Sequence, residues 1–183
     1  MTYYGPKDLA ASLRTVRNNT IQIAEDIPEA HYSYRPTPET RSVAETLVHI
    51  AAMGRSQHQL HFIDHRNSMA GFNLIEYLDR LNAEEKQPWS KAQILELLRT
   101  EGERMAQAVD GAPEGFFAER VEFMPGMQPP SRSRFDLLQS IKEHEMHHRA
   151  QLMLMERLLG QTPHLTRLNQ ERLNAMRANK AAG

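Results

Sequence analysis

The placement of proline constrains this chain more than any other feature of its sequence. A proline inside a helix removes a backbone donor and clashes with the preceding turn, so long helices form only between prolines. The 10 prolines leave four long gaps, and each gap carries apolar residues at helical intervals. The first, after Pro6, runs through Leu9, Leu13, Val16, Ile21, Ile23 and Ile27. The second extends from Thr40 to about His65 with Val43, Leu47, Ile50, Met53 and Leu60; Ser42 followed by Glu45 has the spacing of a capping box. Behind Pro88 the third is capped by Ser90 and carries Ile94, Leu97, Leu98, Met105 and Val109 up to Gly111. The fourth, Ser131 to Gln161, sets Phe135, Leu138, Ile141, Met155, Leu158 and Leu159 on one face, and Gly160 and Pro163 stop it.

Shorter elements fit between. Leu74, Ile75, Leu78 and Leu81 predict a connecting helix after Gly71, and residues 112–130, with Phe116, Phe117, Val121 and Phe123, either hold a short strand or pack across a bundle end. Gly54, inside the second helix, costs about 1 kcal/mol relative to alanine and is expected to mark the close packing of a neighbour. A chain of 183 residues suits one domain. The predicted fold is therefore all-α, a four-helix bundle over residues 1–165 with a polar C-terminal helix or tail at 166–183. The connections 28–39, 66–89 and 112–130 are too long for simple hairpins throughout, which requires at least one long crossover.

Charge and composition exclude several classes of function. With 22 basic against 23 acidic side chains the chain offers no global attraction to nucleic acid or to anionic membrane. Neither a secretory leader, judged from Met1 to Lys7, nor a membrane-spanning stretch is present, so a cytoplasmic protein is expected. The absence of cysteine removes disulfides, thiolate metal sites and cysteine nucleophiles. Any metal must then be held by nitrogen and oxygen, and any reactive thiol must arrive as a substrate.

Against that background stand 9 histidines. On a helix, His144 and His148 lie about 40° apart, one turn above each other, within the stripe Ile141, His144, His148, Leu152, Met155 and Leu159. Two imidazoles placed where a bundle wants leucine cost several kcal/mol unless satisfied, and the i, i+4 spacing lets both reach one ion. His49, flanked by Leu47, Ile50 and Met53 on the second helix, is the best third ligand. His58, His61 and His65 also have helical spacing and could form a second site, although Arg55, Gln57, Gln59, Asp64 and Arg66 around them favour a solvated face. His147 is read as a flanking or surface group, and His31 and His164 as loop residues without visible partners.

His144-Glu145-x-x-His148 also matches the zincin pattern, in which the glutamate is a general base. No third ligand of that class follows: Gln151 and Leu154 stand where a metzincin has glycine and histidine, Glu156 is too close and Glu171 lies in the tail. Glu145 is the weak candidate for a catalytic base, or forms a surface ion pair with Arg149; Gln57 and His61 are candidates for the site wall.

Three stretches together resemble the DinB/YfiT-like superfamily of metal-binding four-helix bundles: Ile23 to Pro38, Glu39 to Ala51, and His144 to Gln151 followed by Arg157 to Gly160 and Pro163. The resemblance spans roughly residues 7–165, with Ala150 standing where glycine is frequent. It implies a metal on His49, His144 and His148, either nickel or zinc, sometimes iron, in a homodimer. Its members include metal-dependent hydrolases and thiol-dependent transferases. The expected function is thus a metal-dependent enzyme using water or a low-molecular-weight thiol against a small electrophilic substrate. A non-catalytic metal-binding stress or interaction module is the alternative, with an HExxH-type peptidase and a DNA-binding protein behind it.

Overall fold

Serine hydroxyls decide where three of the four long helices begin. The computed structural model describes residues 4–182, so residues 1–3 of the predicted bundle segment and Gly183 of the tail lie outside it. Helix α1 (Pro6–Asp26) opens with Pro6 and with Asp8, which accepts from the Gly5 N–H. Ser42 caps α2 (Val43–His58) by the expected reciprocal bonds with Glu45, so Thr40 and Arg41 precede the helix rather than start it. One wide turn, Gln59–Ile63, prolongs α2 and is closed by the Asp64 N–H on the Gln59 carbonyl at 2.8 Å. The connecting helix is α3 (Leu74–Glu85), and Ser90 caps α4 (Lys91–Gly111). The next connection holds α5 (Glu114–Ala118) and an antiparallel ribbon of β1 (Arg120–Glu122) and β2 (Ser131–Ser133). Ser133 caps α6 (Arg134–Leu158), and α7 (His164–Ala182) follows.

Helices α1 and α2 each pack on α4 and α6, which makes the four-helix bundle. Leu9 and Leu13 of α1 meet Met105 and Val109 of α4 and Leu138 and Ile141 of α6 at one end. Ile23 and Ile27 meet Ile94, Leu98, Leu152 and Met155 at the other, together with Val43 and Leu47 of α2. It follows that α1 is antiparallel to α4 and parallel to α6, while α2 is parallel to α4 and antiparallel to α6. Parallel neighbours cannot be joined by a tight turn, so the crossover is the α2–α4 connection. Helix α3 supplies it by running back along α2, from Leu74 beside Gln57 and Leu60 to Glu85 at His49.

Between the two apolar clusters lies a polar layer. Arg17 of α1 grips Glu145 of α6 with two bonds of 2.9 and 3.0 Å and donates to the Leu98 carbonyl at 2.8 Å. Both residues are buried. Gly102 makes the room, because a Cβ there would stand 2.5 Å from Arg17 Cγ. At Gly54 the same test gives an ordinary contact, 3.5 Å to Arg17 Nη2, so the close approach predicted there occurs at Gly102 instead. Leu158, predicted on the buried face of α6, is 55% exposed. The predicted tail helix docks only at its start. His164, expected as an unpartnered loop residue, is buried with Nε2 on Asn19 Oδ1 at 3.1 Å, and Arg167 pairs with Asp26. From Leu168 onward the side chains described are exposed. Among the described residues no helix is long and apolar enough to cross a membrane.

Candidate metal centre

The antiparallel packing of α2 against α6 brings His49 opposite His144 and His148. His49 Nε2 is 3.1 Å from His144 Nε2, which is 3.2 Å from His148 Nε2. Nitrogens bound to one ion at about 2.0–2.1 Å, with angles between octahedral and tetrahedral, stand about 2.8–3.4 Å apart, so these two spacings are those of a coordination edge. Among the described residues this is the one group of three whose ligand atoms lie close enough together to share an ion.

The hydrogen bonds behind the rings fix which atoms face inward. His49 Nδ1 is 2.6 Å from Glu85 Oε1. Burial works against the charge of Glu85, but hydrogen bonds from His49 and Arg41 outweigh it and hold its carboxyl below the usual range. Ionised Glu85 can only accept, so His49 carries its hydrogen on Nδ1 and turns the Nε2 lone pair inward. His148 Nδ1 is 2.8 Å from Gln151 Oε1, and Gln151 is oriented by its amide nitrogen on His147 Nε2 at 3.1 Å. His148 therefore also presents a lone pair. His144 Nε2 faces both and carries at most one hydrogen, so at least two of the three nitrogens turn lone pairs towards one point. Burial, reinforced by the neighbouring histidines, pushes His144 down to about 4; burial does the same to His148 despite the opposing bond from Gln151. Both rings are neutral at pH 7, the state a metal ligand requires.

On one side the group borders an open cleft of about 860 Å³ lined by His147, His148, Gln151, Arg41, Glu85 and Lys86 among others. Arg41 closes the chain Arg41–Glu85–His49 with a 2.6 Å bond to Glu85 Oε2. Sequence reasoning missed Glu85, although it continues the α3 stripe Leu74, Leu78, Leu81 by a further step of four. A carboxylate where that stripe calls for leucine is the signal that would have found it.

Other histidine-region expectations need correction. Glu145 is neither at the centre nor paired with Arg149: both of its oxygens are held by Arg17 on another side of α6. That removes the candidate base and with it the zincin arrangement. Gln57 and His61 line a different cavity, not the wall of this one. His61 is buried, where a solvated face was expected, with Nδ1 on Arg134 at 3.1 Å. His65 pairs with Glu119 and His58 stacks on Phe62, so the three share no site. His147 flanks the centre as expected.

Fold and site together define a helical bundle whose three-histidine group could hold a metal ion. The profile of the DinB superfamily matches residues 12–152, and the chain belongs to that superfamily. Among solved structures, a DinB-like protein, YjoA, from Bacillus subtilis is similar with a TM-score of 0.61 and 22% identity, over 84% of this chain and 93% of that one. At that identity the likeness is one of fold. No curated protein matches the sequence.

Proposed function

We propose that His49, His144 and His148 hold a divalent transition ion, nickel or zinc with iron as the third option, and that the protein is an enzyme acting on a small electrophilic molecule with water or a small thiol as attacking partner. The observation that carries this reading is the convergence of three Nε2 atoms at the edge of an open cleft. An all-imidazole set suits these metals and leaves coordination positions open. Such an ion supplies Lewis-acid chemistry, lowering the pKa of water or thiol and stabilising developing negative charge.

The chain's own residues do the rest. Glu85 and Gln151 fix the tautomers of His49 and His148 and hold the rings in register. His147 lines the same cleft, and because its Nε2 accepts from the Gln151 amide its hydrogen sits on Nδ1, where it serves as a donor. Arg41 and Lys86 at the rim provide positive charge for an anionic group on the substrate. The near-neutral charge and the cysteine-free sequence support a small-molecule partner rather than nucleic acid, and a thiol, where used, as a co-substrate. We place the protein in the cytoplasm as a homodimer.

Elemental analysis of tag-free protein should find one transition ion per chain. His148→Ala should lose it while His164→Ala retains it, and equal loss in both would refute the ligand set. A metal-reconstituted screen of small thiols against electrophiles, together with simple hydrolase substrates, tests the enzyme. Stoichiometric metal without turnover under any metal would leave the non-catalytic module in its place.

A further inference from the structure

A second cavity, of about 180 Å³, lies towards the other end of the α2–α6 contact. Its walls are mostly apolar, with Leu60, Phe72, Leu137 and the methionines Met69, Met124 and Met127, and Gln57, His61 and Arg66 are the polar members. The roof is formed by the segments around Met69 and Met124, tied together where the Met69 N–H meets the Glu122 carbonyl at 2.8 Å and the Glu122 N–H meets the Asn67 carbonyl at 2.9 Å. Unbranched methionine side chains adapt to the shape of an occupant.

His61 gives this cavity its chemistry. The ring lines the cavity and is 4% exposed. Its Nδ1 is 3.1 Å from Arg134 Nη1. A guanidinium only donates, so Nδ1 accepts and Nε2 carries the hydrogen. Arg134 is itself fully buried and held by Glu119 Oε2 at 2.9 and 3.1 Å, with its guanidinium 4.8 Å from the centre of the Phe116 ring. Burial and the Arg134 charge push His61 down to about 4, which keeps the ring neutral and the tautomer fixed. Among the described residues Nε2–H makes no hydrogen bond, yet it keeps some accessible surface, so it is free to donate to an acceptor in the cavity. Burying an arginine to orient a histidine is poorly explained by stability alone, since apolar side chains of similar volume do as well or better.

We infer that this cavity is a second ligand site, separate from the metal cleft, for a compact apolar molecule that presents one carbonyl or ether oxygen to His61 Nε2–H. The volume sets the size: an apolar cavity of about 150 Å³ holds benzene, so a single ring with a short substituent fits. The site does not depend on the metal reading. By the rise of a helix, Leu137 stands roughly 10 Å along α6 from His144.

Methyl NMR on protein carrying ¹³C-methyl methionine tests it, with acetophenone and ethylbenzene as probes of matched shape, with and without the acceptor. Met69, Met124 and Met127 methyl signals should shift saturably with both. Acetophenone should bind about fivefold more tightly, the effect of one neutral hydrogen bond. Leu137→Trp should fill the space and abolish both titrations, while His61→Leu should keep ethylbenzene binding and lose the preference. Chelation of metal should change neither affinity. Unmoved methionine signals, equal affinity of the wild-type protein for the two probes, or loss of binding on chelation would each overturn the proposal.

Discussion

Glu145 and its neighbour His144 leave α6 on different sides and enter two buried polar layers built in opposite ways. Glu145 meets Arg17 with two parallel bonds, opposite charges neutralise each other, and the remaining guanidinium donor finds the Leu98 carbonyl. That layer is complete. In the other, three imidazole nitrogens turn towards one another, with the hydrogens of His49 and His148 used up on Glu85 and Gln151 behind them. At most one hydrogen is shared among those three nitrogens, an arrangement that could hold a cation. A buried polar group that is satisfied fixes how helices meet, whereas one held in an unsatisfied arrangement at the edge of a cleft marks where chemistry enters.

The contrast can be broken by substitution. Glu145→Ala should leave the buried guanidinium of Arg17 unpaired and cost about 3–5 kcal/mol of stability in urea unfolding, while folded protein keeps its metal stoichiometry. Unchanged stability, or metal loss from folded protein, would show that the two layers are not separate. Glu85→Gln should act on the other layer, weakening metal affinity by roughly 10–100-fold, because the charged acceptor behind His49 is gone; calorimetric titration reads this directly. Gly102→Ala would drive a methyl into the stem of Arg17 and should destabilise by about 1–3 kcal/mol. Gly54→Ala meets only an ordinary contact and should stabilise by up to about 1 kcal/mol. The same sign for both glycines would remove Gly102 from the account of the charge layer.

A further effect is one of pH. In the fold, His144 and His148 are held down near pH 4, against 6.5 for an unperturbed histidine. Between those values the unfolded chain binds more protons than the native one, so unfolding free energy rises with pH. Metal-free protein should accordingly have its full stability above about pH 6.5 and lose the histidine contribution as pH falls through about 4. The slope should be shallower in His148→Ala, and an unaltered slope in urea midpoints measured from pH 4 to 7 would contradict this.

Much of the architecture is legible in local residue patterns. Pro6, Ser42, Ser90 and Gly111 mark helix ends that the structure keeps, and the i, i+4 spacing of His144 and His148 is enough to place them together, since one helix carries both. The errors share a cause. Glu145 looks like a surface residue because an isolated charge is too costly to bury, yet Arg17, 128 positions away, makes burial possible. Gly54 and Gly102 are equivalent as sequence signals, and only the path of the Arg17 side chain distinguishes them. His61 sits in a polar neighbourhood of the sequence, but the wide turn at Gln59–Ile63 and Arg134 from α6 carry it inside.

The sequence by itself determined the class of fold, several helix ends and the pair of histidines on the fourth long helix, because these rest on spacing along a single element. Tertiary structure decided that His49 is brought to them, that Glu85 and Gln151 orient the His49 and His148 rings, and that Glu145 belongs to a different layer. Those outcomes depend on which helix faces which, and a buried polar side chain takes its role from the partner that packing sets against it.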